Sequence, residues 1–359
     1  MRIAFVIGTR PEIIKMHPIV RECEKRKLDF LIIHTGQHYS ENLSEIFLEQ
    51  LRYPEVAYNL NVGSGSHGEE TGKGIILIEK VLRKEEPDIV LVEGDTNSVL
   101  AGAIAAVKLR IKIGHVEAGL RSFDRRMPEE INRILADHVS DFLFAPTRVS
   151  EANLIHEGLD RSRISITGNT IVDAINAYLR KNKRSKSTDN IPRIPSGDYF
   201  LVTIHRQENV DDGPRFIRIL HGLEVLGRRL EVPIIYPMHP RARKRMKKLG
   251  LTTQHITVLK PLNYFKFIEL QRRAKLVLTD SGGVQEESCI LRVPCVTLRN
   301  STERPETLKI GSNILAEASP EDMLAKARTM LKRKRSWQNP FGDGRTARRI
   351  VNAIRSALE

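Results

Sequence analysis

Residues Met1–His34 read MRIAFVIGTRPEIIKMHPIVRECEKRKLDFLIIH, and this stretch decides the fold. Ile3–Ile7 is an unbroken apolar run of strand length, Gly8-Thr9-Arg10-Pro11-Glu12 is a polar turn, Ile13–Arg26 carries the apolar spacing of a helix, and Phe30–His34 is a second apolar run. A strand that is apolar at every position must be covered on both faces. A strand–helix–strand crossover in a parallel sheet provides that cover, whereas an antiparallel strand with one wet face would alternate.

The same alternation continues outward from this unit. Strands are expected at Ile89–Val92, Lys112–Val116 and Phe142–Ala145, with helices over Gly74–Lys84 and Ser98–Leu109. A charged, proline-bearing loop, Arg180–Gly197 (RKNKRSKSTDNIPRIPSG), precedes a second series of strands at Tyr199–Ile204, Ile234–Tyr236, Ile256–Val258, Leu276–Thr279 and Cys295–Leu298. The sequence therefore predicts an α/β protein of two Rossmann-like doubly wound domains. With the crossover placed at Gly168-Asn169, the expected N-terminal domain is residues 1–168 and the C-terminal domain residues 169–344. The last helical stretch, Arg345–Leu358, suits either domain by its own pattern.

A chain of 359 residues is long enough for two such cores. No apolar stretch approaches the ~18 residues that span a bilayer, which excludes a membrane protein. Nor does a small-residue cleavage site follow the first apolar run, so a cytoplasmic protein is expected. Cys23, Cys289 and Cys295 form no Cys-x-x-Cys pair and are odd in number, which disfavours a disulfide framework or a structural zinc site. The chain carries 58 basic and 44 acidic residues, net +14, so polyanions are candidate partners. The basic runs Arg180–Lys186, Arg241–Lys248 and Lys332–Arg335 have no aromatic residues interleaved to stack bases. They read as solvated faces and linkers rather than a nucleic-acid grip, while the positive surface would attract a small phosphorylated ligand.

Open parallel sheets bind ligands beyond the carboxyl ends of their strands, and the polar clusters of this chain fall there. They are Gly8–Glu12 with Lys15 a turn later, Glu93-Gly94-Asp95-Thr96-Asn97, Glu117-Ala118-Gly119-Leu120-Arg121, His205–Asn209 and Asp280–Glu287. In Ser281-Gly282-Gly283, two glycines allow close backbone approach, and the helix that follows offers free N–H groups and a positive dipole end, which suits a diphosphate. Glu287, a turn further on, is placed for a ribose hydroxyl pair, and Arg304 adds positive charge. Without a ligand the same glycines would serve only tight strand-to-helix packing.

Two other glycine runs are decoys. Gly63-Ser64-Gly65-Ser66-His67-Gly68 matches a dinucleotide fingerprint by letter, but it lies in a polar segment after the sheet has begun, and Asp88 precedes its strand instead of ending one. Thr71-Gly72-Lys73-Gly74 lacks the hydroxyl residue a P-loop needs for magnesium. His34 and His38 straddle a strand end without the glutamate of a zinc-binding helix, so they read as hydrogen-bonding residues.

Taken in order along nearly the whole chain, Gly8–Glu12, Thr35–His38, Gly94–Thr96, Gly114–Arg121, Pro128-Glu129-Glu130, Gly168–Thr170, His205–Asn209, Thr279–Glu287 and Glu303–Glu306 resemble the non-hydrolysing UDP-N-acetylglucosamine 2-epimerases. The resemblance implies the type B glycosyltransferase arrangement, with the nucleotide in a cleft facing both domains, the last helix returned to the first domain, a homodimer, a UDP-sugar substrate, and neither cofactor nor metal. The implied catalytic residues are Asp95, Glu117, Glu129 and His205. Arg10, Lys15, Phe267, Ser281, Gly282, Gly283, Glu287 and Arg304 would bind substrate and UDP. Gln37, His38, His67 and His239 would border an allosteric site for a second substrate molecule. Taken alone, Lys15 reads as a solvated helix residue, Phe267 as core, Asp95 as a helix N-cap and Glu129 as a first-turn dipole partner.

The implied reaction makes chemical sense of these residues. C2 of a closed sugar ring has no neighbouring carbonyl, so its hydrogen is too weakly acidic to be removed directly. Departure of UDP from C1 supplies the missing acidity and leaves a 2-acetamidoglucal, to which UDP re-adds as C2 is protonated from the opposite face. Clustered carboxylates repel one another, so at least one is expected to titrate high enough to act as acid or base near neutrality. A hydrolysing epimerase and a type B glycosyltransferase would use similar residues with different products.

Overall fold

The computed structural model describes residues 1–36, 48–49, 51–181, 194 and 197–358. The chain divides into two compact units, Met1–Arg180 with Phe341–Glu359, and Lys181–Pro340. Both are parallel sheets covered by helices, as the unbroken apolar runs require.

In the first unit seven strands are β1 (Arg2–Ile7), β2 (Asp29–His34), β3 (Tyr58–Asn59), β4 (Ile89–Glu93), β5 (Lys112–Val116), β6 (Phe142–Ala145) and β7 (Ile164–Ile166). They lie in the order β3-β2-β1-β4-β5-β6-β7, every pair parallel. The chain reverses its direction of travel across the sheet between β1 and β4, and the loops after those two strands flank the position where such sheets take ligands. Beneath them, Ala4, Val6, Val90, Val92 and Ile113 pack against the alanine-rich helix Asn97–Lys108.

The second unit holds β8 (Phe200–Thr203), β9 (Ile234–Pro237), β10 (Ile256–Leu259), β11 (Leu276–Thr279), β12 (Cys295–Thr297) and β13 (Asn313–Leu315), in the order β10-β9-β8-β11-β12-β13. This is the same winding, with its reversal between β8 and β11. Its two faces are covered by separate apolar clusters, one around Phe216, Leu223 and Met323 and the other around Tyr199, Leu270 and Val284.

Strands β3, β7 and β13 were not foreseen. They are two or three residues long and lie toward the sheet edges, too short to make an apolar run. Finding β3 also explains the glycine decoy. Gly63–Ser66 turns the chain from β3 into the helix His67–Glu85, whose first turn is closed by a reciprocal Ser66–Glu69 capping box. The C-terminal helix Thr346–Leu358 belongs to the first unit: Asp173 accepts from the backbone N–H groups of Thr346 and Ala347, and Arg26 donates to Asn352. All three cysteines are buried free thiols.

Candidate active site

In the first unit, helix Pro128–Val139 projects Glu130, Arg133 and Asp137 from one face, the i, i+3, i+7 spacing of a helical stripe. Arg133 is buried and pairs at once with Glu130 (2.5 Å) and with Asp95, 38 residues earlier at the end of β4. Asn132 holds the Asp95 carbonyl at 2.9 Å. The Asp95 side chain is therefore anchored by Arg133 and stays 36% exposed. The helix N-cap assigned to it belongs instead to Thr96, whose hydroxyl accepts from Val99 N–H. Glu130 accepts from Ser122 N–H, Ser122 Oγ and Phe123 N–H; burial would raise it, but these donors and Arg133 hold it below the ordinary carboxylate range. Glu129, its half-buried neighbour, stands in the first turn as expected from the sequence.

Glu117 follows β5, directly beside the end of β4. Its Oε2 accepts from Lys15 Nζ at 2.5 Å and its Oε1 from Asn169 Nδ2 at 3.0 Å. Its backbone is left-handed, φ 72°, a conformation costly for a side-chain-bearing residue. Lys15 is not a solvated helix residue: it is buried, and it also lies 3.2 Å from Glu93 Oε1. Beneath both loops, His115 directs Nδ1 at Asp137 (2.7 Å) and Nε2 at the Gly94 carbonyl (2.8 Å). Two acceptors require a proton on each nitrogen. Burial alone would lower His115, yet the Asp137 carboxylate and the Gly94 carbonyl outweigh it and raise the imidazole. Asp137 in turn holds Gly119 N–H and Arg121, so one buried carboxylate ties the loop bearing Glu117 to the loop bearing Asp95.

Two further buried carboxyls of this unit, Glu93 and Glu12, are raised. Burial drives Glu93 well above the usual carboxylate range, against the pull of Lys15 and with the push of Glu117. Burial also raises Glu12 to about 7, against hydrogen bonds from Thr96, Thr9 and Gly8. Arg10 is exposed at the start of helix Arg10–Lys25.

In the second unit, buried Asp280 organises the end of β8. It accepts from the backbone N–H groups of His205 and Arg206 and from Asn209 Nδ2, and sits 3.4 Å from His205 Nδ1. His205 presents an exposed ring, 6.2 Å from that of His239. Ser281 caps the helix Gly282–Ile290 without a side-chain bond to it. A Cβ on Gly282 would overlap Glu303 Oε1, which accepts from Arg206 while Oε2 accepts from Arg299, whereas a Cβ on Gly283 would meet no described atom within 4 Å. Gly283 therefore faces open space at a helix N-terminus. Glu287 is buried one turn on, and Arg304 donates to buried Glu286. Phe267 is half-buried against the Tyr199–Leu270 cluster, on a helix capped by Asn263.

His67 begins the helix His67–Glu85, with Asn97 Nδ2 3.1 Å from its Nδ1, and His239 caps helix Pro240–Lys248 by accepting from Arg241 N–H. Gln37 and His38 lie outside the described residues. Sequence reasoning gave no role to Arg133, Glu130, Glu93, Asn169, His115, Asp137 or Asp280. Glu93, Asn169 and Asp280 adjoin strand ends within its motifs, where a polar residue is itself a signal, and His115 and Glu130 also fall inside motifs; Arg133 and Asp137 fall in none.

A family model described as UDP-N-acetylglucosamine 2-epimerase matches residues 21–355. The UDP-N-acetylglucosamine 2-epimerase of Methanocaldococcus jannaschii is 51% identical over 99% of both chains, and that of Methanococcus maripaludis is 52% identical over 98% of both. A crystal structure of the M. jannaschii enzyme in complex with UDP-GlcNAc and UDP superposes with a TM-score of 0.95 at 50% identity, covering 99% of this chain and 100% of that one.

Proposed function

The chain belongs to the UDP-N-acetylglucosamine 2-epimerase family, and from that premise we propose that it interconverts UDP-N-acetylglucosamine and UDP-N-acetylmannosamine at C2. The observation that carries this reading is the pair of carboxylates delivered to the ends of adjacent strands, Asp95 held by Arg133 and Glu117 held by Lys15 and Asn169. Each has one oxygen oriented by a cation, which fixes where its carboxylate points.

In this mechanism the C1–O bond breaks, its electron pair leaves with UDP, and positive charge develops at C1. The C2 hydrogen, now acidic, passes to a carboxylate, and the C2–H electrons become the C1=C2 bond of the glycal. Protonation of C2 on the other face, with return of the UDP oxygen to C1, gives the epimer. The proton-transfer roles go to Asp95, Glu117 and Glu129. His205, oriented by Asp280, steadies the departing phosphate charge. Ser281, Gly282 and Gly283, at the start of a helix, hold the diphosphate with Arg304, and Glu287 takes the ribose; Arg10, Lys15 and Phe267 are assigned to UDP and substrate by the family resemblance.

We further infer a homodimer. Helices His67–Glu85, Asn97–Lys108 and Pro128–Val139, which pack side by side, leave Ile76, Val107 and Leu135 exposed. A cytoplasmic setting suits the three free thiols. That His67, His239, Gln37 and His38 border a region for a second UDP-sugar rests on the family resemblance alone. The test is product analysis after incubation with UDP-N-acetylglucosamine: UDP-N-acetylmannosamine is expected. Free N-acetylmannosamine with UDP would make the protein a hydrolysing epimerase, and sugar transferred to an acceptor would make it a glycosyltransferase.

A further inference from the structure

Lys15 is one ammonium facing two buried carboxyls, Glu117 at 2.5 Å and Glu93 at 3.2 Å. Glu12, one turn earlier on the same helix, and Tyr53 also face Glu93. Two buried glutamates facing one cation, with Glu12 close by, would carry surplus negative charge if all were ionised, and removing an unpaired carboxylate from water costs several kcal/mol. Protons must therefore be retained. Glu117 is not the holder, because both its oxygens accept from donors. Glu93 is 1% exposed, and its Oε1 makes no well-formed hydrogen bond among the described residues. The Glu117 charge beside it pushes Glu93 further toward its neutral form.

We propose that Glu93 is a positioning residue that works in its neutral form, leaving the charge of Lys15 to Glu117 and fixing Glu117 as a proton acceptor. Burial at the end of β4 is what disfavours its ionisation. The role rests on the reading of Glu117 as a proton-transfer group. Were Glu93 ionised, it would compete for Lys15 and loosen the hold of that cation on Glu117, leaving Asn169 to orient it.

Two measurements test this. The infrared difference spectrum of wild type minus Glu93→Gln at pH 7.5 should contain the C=O band of a protonated carboxylic acid that shifts in heavy water; a difference confined to carboxylate bands overturns the proposal. In turnover, Glu93→Leu should lower kcat at least ~10-fold with little change in KM, and Glu93→Gln should recover most of that loss. Wild-type rates for the leucine variant, or equal impairment of both, also overturn it. Thermal melts confirm folding, which an apolar group of similar volume at a buried acid favours. The infrared arm needs no substrate, so a wild-type protein without epimerase activity would count against the proposed function and leave the protonation of Glu93 to be decided separately.

Discussion

Glu117 has both carboxylate oxygens filled before substrate enters the account, and its left-handed backbone is held in place by the Asp137 bond to Gly119 two residues on. Such strain is retained where the surroundings over-determine it. Glu117→Gln and Asp95→Asn should each lower kcat by at least ~10², because an amide cannot accept the C2 proton; His205→Ala should do the same by leaving the departing phosphate charge unassisted. Steady-state epimerisation rates check all three, and near-normal turnover removes the residue concerned from the mechanism. Glu12 gives a prediction about stability. Its folded carboxyl titrates at about 7 against 4.5 for an ordinary glutamate, so the native state holds the proton longer than the unfolded chain. The stabilisation is complete below about pH 4.5 and is lost as pH rises to about 7, on the order of 3 kcal/mol in all. Melting temperature should fall across that window, and in Glu12→Gln the fall should shrink.

Gly283, after β11, and Gly119, after β5, differ in what surrounds them. Gly283→Ala should leave the melting temperature unchanged, since its Cβ meets no described atom, yet weaken UDP binding at least ~10-fold by calorimetry if the diphosphate lies against that backbone. Gly119→Ala should cost about 2 kcal/mol or more in urea unfolding, because φ is +80° and the Cβ would overlap the Ser150 carbonyl. At this scale most of the architecture was legible. The apolar runs named ten strands, because burial on both faces leaves that mark in composition; three strands of two or three residues left none. The carboxylate loops were legible because strand ends are where polar residues gather. Their supports were not. Arg133 lies 38 residues from Asp95, and nothing in the intervening chain says that helix Pro128–Val139 will bring them together. By its helix pattern alone Lys15 reads as solvated, because its two glutamate partners come from strand ends far along the chain; only the resemblance gives it a place at the site.

At the scale of the whole molecule, two units repeat one winding, each with its polar loops at the reversal point, and the proposed chemistry divides between them into proton transfer and anion binding. Sedimentation at micromolar concentration should give twice the chain mass; a monomer would leave the exposed Ile76, Val107 and Leu135 without the proposed partner. What joins the two halves of the mechanism is that loss of UDP from C1 makes the C2 hydrogen acidic. The most direct measurement is therefore incubation with UDP-N-acetylglucosamine in heavy water, without added nicotinamide, followed by NMR or mass analysis of the product. UDP-N-acetylmannosamine carrying deuterium at C2 is the predicted result. Epimer that keeps its original hydrogen, or that forms only when a nicotinamide is supplied, would contradict it.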